Sequence, residues 1–236
     1  MMKLFLLVLT AITLFGRGYE APDNRTQAIK LIKKIHFDYK KTWLNGCDYS
    51  YDLGSCMDKT MVDTASCSVQ EQNQTVKWIQ VVPDSFYGRN RECMNEEVCV
   101  SKYTGKNYKG KRCCRQSDAE YRKMEADLFN FIPVVSAIAD KRKDQIFMKV
   151  DKAEYVVGKV KMNEKAIEPP DNLKGDIARV YLYMNQRYGL GLSLEEKEDY
   201  YYWHKLDSVD KRECAIAKTI MKIQGSSNRW IQERCR

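Results

Sequence analysis

The segment KYTGKNYKGKRCCR, Lys102 to Arg115, carries six basic residues, two tyrosines and two glycines without a single acid. Lysine and arginine at this density suit neutralisation of phosphates, and tyrosines between them could stack on the bases of a single strand. A solvated loop is the plain alternative. KRK at 141–143 and the lysines of AIKLIKK near residue 30 are further basic clusters. Other chemistry-bearing residues are sparse: two histidines, His36 and His204, and nine cysteines. Cys93 and Cys99 are too far apart for a zinc knuckle and Cys113 and Cys114 are adjacent, so paired thiols are expected rather than zinc. Nine is odd, which leaves one thiol free or bonded outside the chain.

These residues need elements to hold them. Ala28, Ile29, Ile32, Ile35 and His36 recur at helical spacing, predicting a helix over 26–38 with Thr26 as its cap. Residues 40–118 are rich in Cys, Gly, Asn and Asp, predicting short strands and long loops stapled by disulfides. Residues 76–83, rich in Val, Ile and Trp and stopped by Pro83, form the best strand candidate. Beyond residue 118 the pattern turns helical. Tyr121, Met124, Leu128 and Phe131 share one face, as do Ile177, Val180, Tyr181, Met184 and Tyr188 before Gly189. Ser193 with Glu196 and Asp210 with Glu213 have the spacing of capping boxes, and the last long helix should run to Gly225. The fold class predicted is α+β: an irregular, disulfide-bearing β part followed by a helical C-terminal half.

The chain opens with Lys3, an apolar run from Leu4 to Phe15, and the small residues Gly16 and Gly18. This is the pattern of a secretory signal peptide, and the run is short of the roughly 20 residues that span a bilayer. The expected organisation is a signal peptide over 1–18 and a single domain over 19–236, secreted or periplasmic and with no membrane association after cleavage. Loss of Lys3 and Arg17 lowers the net charge from +8 to +6, with 38 basic against 32 acidic side chains. An excess of this size suits a polyanionic partner and also plain solubility. Export and nine cysteines together imply an oxidising compartment.

Several blocks, in order, carry a more specific signal: WIQVVPDSFYG (78–88), YRKMEADLFN (121–130), EKAIEPP (164–170), GDIARVYLYM (175–184), IMKIQGSSN (220–228), and the closing cysteines Cys214 and Cys235. With these the sequence resembles the endonuclease I family, exported non-specific nucleases that cut DNA and often RNA, from about Gln27 to Cys235. The resemblance implies a ββα-metal (His-Me) finger, a strand pair and helix holding one divalent cation. It also implies a Cys214–Cys235 bridge that folds the tail against the last long helix. In the family the strand reads Trp-Glu-His-Val-Val-Pro, the Glu being a metal ligand and the His the general base that activates water.

Against that pattern Trp78, Val81, Val82 and Pro83 match, but Ile79 stands at the ligand position and Gln80 at the base position. Asn130 matches the second metal ligand, with Phe129 where the family has His, and Arg91 matches the arginine that holds the scissile phosphate. Isoleucine offers a hard cation such as Mg²⁺ no oxygen, and glutamine cannot accept a proton at useful pH. A one-residue shift brings neither Glu nor His into the strand, because residues 74–83 contain neither. His36 and His204 are remote in sequence. Cys56, Cys99 and one of Cys113 or Cys114 are additional to the family pattern, and Val156 stands near where a family cysteine is expected.

Three readings follow. The first is a secreted pseudonuclease, by resemblance an endonuclease with cleavage lost, that needs no cofactor and binds nucleic acid non-specifically as a monomer. Lys106, Lys109, Lys111, Arg112, Arg142 and Arg91 would contact phosphate, which requires only basic side chains. The second is an active Mg²⁺-dependent endonuclease with an unorthodox site. The third is a disulfide-stabilised scaffold for a protein partner. Asn24-Arg-Thr and Asn73-Gln-Thr would be glycosylation acceptors in a eukaryotic secretory pathway.

Overall fold

The computed structural model describes residues 20–51 and 60–235; the predicted signal peptide and Cys56 lie outside them. Helix α1 (Arg25–Ile35) buries Ala28 and Ile32 and is capped by Asn24, whose side chain accepts from the Gln27 N–H. The cap is thus Asn24 and not Thr26: the carboxamide two residues earlier is the one that meets the orphan amide of Gln27. A hairpin of β1 (Asp48–Tyr51) and β2 (Thr60–Asp63) follows. Strand β3 (Val76–Gln80) ends three residues before the predicted stop at Pro83. The chain then passes through α2 (Asp84–Tyr87), α3 (Glu92–Asn95), a small hairpin of β4 (Cys99–Val100) and β5 (Asn107–Tyr108), and α4 (Lys111–Ser117).

Helix α5 (Ala119–Ala126) is shorter than its apolar spacing predicted. Asp127 ends it by accepting from the Phe129 N–H, and Leu128–Asn130 form one 3₁₀ turn into strand β6 (Phe131–Val135). Tyr121, Met124, Leu128 and Phe131 are all buried, but Phe131 reaches the core from a strand. Strand β6 pairs antiparallel with β3, placing Gln80 opposite Phe131 and Ile79 opposite Ile132. Helix α6 (Ser136–Arg142) follows directly.

The second half is less purely helical than expected. Four short strands, β7 (Ile146–Phe147), β8 (Tyr155–Val157), β9 (Val160–Met162) and β10 (Ala166–Glu168), form a sheet in the order β7-β10-β9-β8. Each is too short to leave a readable alternation. Helices α7 (Lys174–Tyr188), α8 (Leu194–Leu206), α9 (Lys211–Gln224) and α10 (Arg229–Gln232) complete the chain. Both capping boxes form, at Ser193 and at Asp210. At the start of α7, Gly175 lies against the Asp207 carbonyl where any side chain would collide. Inside the α7–α9 contact Arg179, fully buried, bonds Asp176 and Glu213 at 2.6 Å each.

Four disulfides join Cys47–Cys67, Cys93–Cys114, Cys99–Cys113 and Cys214–Cys235. Among the described residues every cysteine is paired, and the last pair, with Cα atoms 5.5 Å apart, holds the tail on α9. The architecture is α+β.

Candidate functional site

Gln80 closes β3 with its side chain buried. Its Oε1 accepts from Arg25 Nη1 at 2.6 Å, and its Nε2 donates to the Glu125 carbonyl at 3.1 Å and to the Tyr87 hydroxyl at 3.3 Å. Arg25 is the first residue of α1, so the N-terminal helix sets a guanidinium against the strand end. Ile79, half-buried, packs on the core beside its partner Ile132.

Asn130 sits at the same end of the ladder and has no exposed surface. Its Oδ1 accepts from the Val82 N–H at 2.7 Å, its Nδ2 donates to the Val82 carbonyl at 3.0 Å, and its own carbonyl accepts from the Val81 N–H at 2.8 Å. The carboxamide thereby replaces a missing strand partner. Phe129 packs against Tyr183, ring centroids 4.8 Å apart. Asn130 therefore sits at the end of the strand pair that carries Ile79 and Gln80, but it bonds Val81 and Val82 rather than either of them. Ile79 and Gln80 point to opposite faces, and none of the three supplies a carboxylate or imidazole. Neither histidine fills the gap: His36 is buried edge-on against Trp78, and His204 packs on Trp230. Burial, with Arg212 adding to it, depresses the His36 pKa from 6.5 to about 3.

A divalent cation does not fit this donor set. Ile79 has no oxygen and the Gln80 oxygen already faces a guanidinium. That leaves the single neutral side-chain oxygen of Asn130, itself accepting from the Val82 N–H, which is too few donors for a hard cation. Among the described residues no group of three or more His, Cys, Asp or Glu is placed to hold a metal.

Several of the basic side chains after β3 are engaged in ion pairs. Lys111 reaches Asp84 at 2.7 Å and Asp144 at 3.3 Å, and Arg115 reaches the buried Glu125 at 2.6 Å. Arg91 grips Asp118 through Nε and Nη2, both at 2.6 Å. Partial burial raises the Asp118 pKa, but bonds from Arg91 and the Tyr121 N–H outweigh it and the net shift is downward. Arg142 departs from its predicted role. It is buried, donating to the carbonyls of Gln80, Val81 and Gln145, with its guanidinium 4.5 Å from the centre of the Phe147 ring. Burial lowers its pKa to about 10, so it stays charged near neutrality while being withdrawn from solvent. It clamps the end of β3 and cannot meet a phosphate there.

The family model for Endonuclease I matches residues 22–235. The chain belongs to the endonuclease I family. Similar relatives include an extracellular deoxyribonuclease of Aeromonas hydrophila, 27% identical over 86% of this chain and 87% of the relative. A periplasmic deoxyribonuclease of the same organism is 27% identical over 98% of this chain and 95% of the relative. Endonuclease-1 of Buchnera aphidicola subsp. Acyrthosiphon pisum is 27% identical over 90% and 82%.

The basic segment of this endonuclease I family member divides between two tasks. Lys111 is paired with Asp84 and Asp144 at a partly exposed position, and Lys109 donates to the Asn95 carbonyl at 2.8 Å. Arg112 lies over the Tyr108 ring, while Lys106 is exposed at the hairpin tip. Sequence reasoning missed Arg25, Glu125 and Arg115. No signal joined them, since Arg25 meets Gln80 across 55 residues. The inward turn of Arg142 was readable, because it lies four residues after the apolar Ile138 on one helix face.

Proposed function

We propose that the protein is an exported, nucleic-acid-binding member of the endonuclease I family in which phosphodiester cleavage has been lost. The observation that carries this reading is the state of Gln80: it is no base, and a guanidinium stands 2.6 Å from its oxygen where a family member needs a neutral acceptor. Isoleucine at position 79, which leaves Asn130 without an acidic partner ligand, supports the loss of the metal as well. Loss of a general base forfeits on the order of 10²–10⁴ in rate. Loss of the cation removes several kcal/mol of charge stabilisation besides. The succession β3, β6, α6 supports a ββα frame that has outlived its ion. Export is supported by the extracellular and periplasmic names of the Aeromonas relatives and by the four disulfides.

A second reading, a scaffold for a protein partner, rests on α8, which exposes Leu194, Tyr202 and Leu206 on one helix. Gel retardation at low salt separates the two, since a scaffold alone would not retard DNA or RNA.

Cleavage is tested by nicking of supercoiled plasmid across a Mg²⁺ titration. The unmodified protein should leave the plasmid intact, and Ile79→Glu with Gln80→His together should restore part of the activity where each alone fails. Mg²⁺-dependent nicking that co-elutes with the unmodified protein and disappears in Gln80→Leu would overturn the loss of catalysis.

A further inference from the structure

The β4–β5 hairpin is two residues deep on each side, too little to persist by its own pairing. Cys99–Cys113 and Cys93–Cys114 lock its base, and the Gly110 N–H donates to the Cys93 carbonyl at 2.9 Å. Its tip is equally fixed. Ser101 N–H donates to the Lys106 carbonyl and Gly105 N–H to the Ser101 carbonyl, both at 2.9 Å, with Gly105 in the left-handed region. On this tip stands Tyr103, 89% exposed, with Val100 at 57% in the adjoining strand and Val98 at 46% just before it. The Tyr103 ring makes no ring contact or side-chain hydrogen bond among the described residues, so both of its faces are open.

Lys102 and Lys106 flank the ring, and neither has an ion-pair partner among the described residues. The other tyrosine of the segment is already engaged: Tyr108 lies under Arg112 and donates to Gln116 at 2.6 Å. Glu96 and Glu97 precede the hairpin while Lys109, Lys111 and Arg112 follow it, so its base carries charges of both signs and the tip carries lysines alone.

We propose that this tip makes the protein a reader of single-stranded nucleic acid: Tyr103 stacks on an unpaired base while Lys102 and Lys106 hold the flanking phosphates. The proposal rests on the nucleic-acid reading above and narrows its ligand. A duplex keeps its base faces stacked on one another and offers the ring nothing, whereas every unpaired base has a free π-face. A preordered tip loses little conformational freedom on binding. The path from tip to degenerate site is short in covalent terms, through α4, which carries Cys113, Cys114 and the Arg115 that pairs with Glu125 beside Gln80.

The test is fluorescence anisotropy with a labelled oligothymidylate and a blunt duplex of equal length, in EDTA, over a salt series. The single strand should bind more tightly. Tyr103→Ala should weaken it roughly 5- to 150-fold, the range for one stacked base, with duplex binding within about twofold of wild type and Tyr103→Phe close to wild type. Lys102→Ala with Lys106→Ala should reduce the single-strand salt slope by about 1.4, at about 0.7 per phosphate. All three positions are exposed, so the variants should fold. Unchanged single-strand affinity in Tyr103→Ala, with the lysine pair still lowering binding, would overturn the stacking inference and leave the nucleic-acid reading standing. Wild-type protein that binds neither probe at low salt would overturn both.

Discussion

His36 shows at the scale of one residue how a side chain that could do chemistry becomes a structural one. Its ring lies edge-on 5.2 Å from Trp78, its Nδ1 has no hydrogen-bond partner, and burial holds it neutral with a pKa of about 3. The unfolded chain would take up a proton near 6.5 that the folded protein refuses. The stability due to this residue is therefore complete above pH 6.5 and is lost as pH falls towards about 3, at about 1.4 kcal/mol per pH unit. Urea denaturation at pH 7 and pH 5 should show a loss in wild type that exceeds the loss in His36→Phe by roughly 2 kcal/mol. An equal loss in both proteins would place the acid lability elsewhere. The sequence shows that His36 sits at helical spacing among apolar residues. It does not show that Trp78, 42 positions later, supplies the wall.

At the scale of elements, local signals are the readable ones. Ser193 and Asp210 cap their helices because the partner carboxylates lie three residues on, within one turn. The α5 boundary was hidden because its cause is distant: Asp127 is held by the hydroxyls of Tyr183 and Tyr188 and by Gln224, all from the C-terminal helices. Two contacts between those helices make testable demands. Replacing Cys214 and Cys235 by serine removes a bridge closing 21 residues, worth about 3 kcal/mol, and should lower Tm by roughly 6–12 °C in a calorimetric scan. Arg179→Met leaves Asp176 and Glu213 buried without their cation. It should destabilise by about 3–5 kcal/mol in chemical denaturation at pH 7. Burial raises the pKa of both carboxyls, so that penalty should shrink in acid, where they are protonated.

At the scale of the whole molecule, the net charge of +8 is less informative than where the charges end. Lys106 and Lys111 are near neighbours in one basic run, yet the first is exposed and the second is bound to Asp84 and Asp144. Lys106→Ala should lower the slope of log affinity against log salt without altering Tm. Lys111→Ala should change the slope little, and a reversed pattern in parallel anisotropy and melting runs would mean that α4 releases Lys111 on binding. The direction of α4 follows from two sulfur atoms. Adjacent helical residues point about 100° apart, and here Cys113 goes to Cys99 while Cys114 goes to Cys93. The choice of partner is therefore a choice of rotational phase. Exchanging the two bonds would keep the sequence, the number of bridges and the loop sizes nearly the same. It would roll the helix about its own axis by an angle of roughly that size and carry Lys111 and Arg115 away from Asp84 and Glu125. A chain oxidised in that order would be an isomer distinguishable by the charge on one face, and ion-exchange chromatography could separate it from the native form.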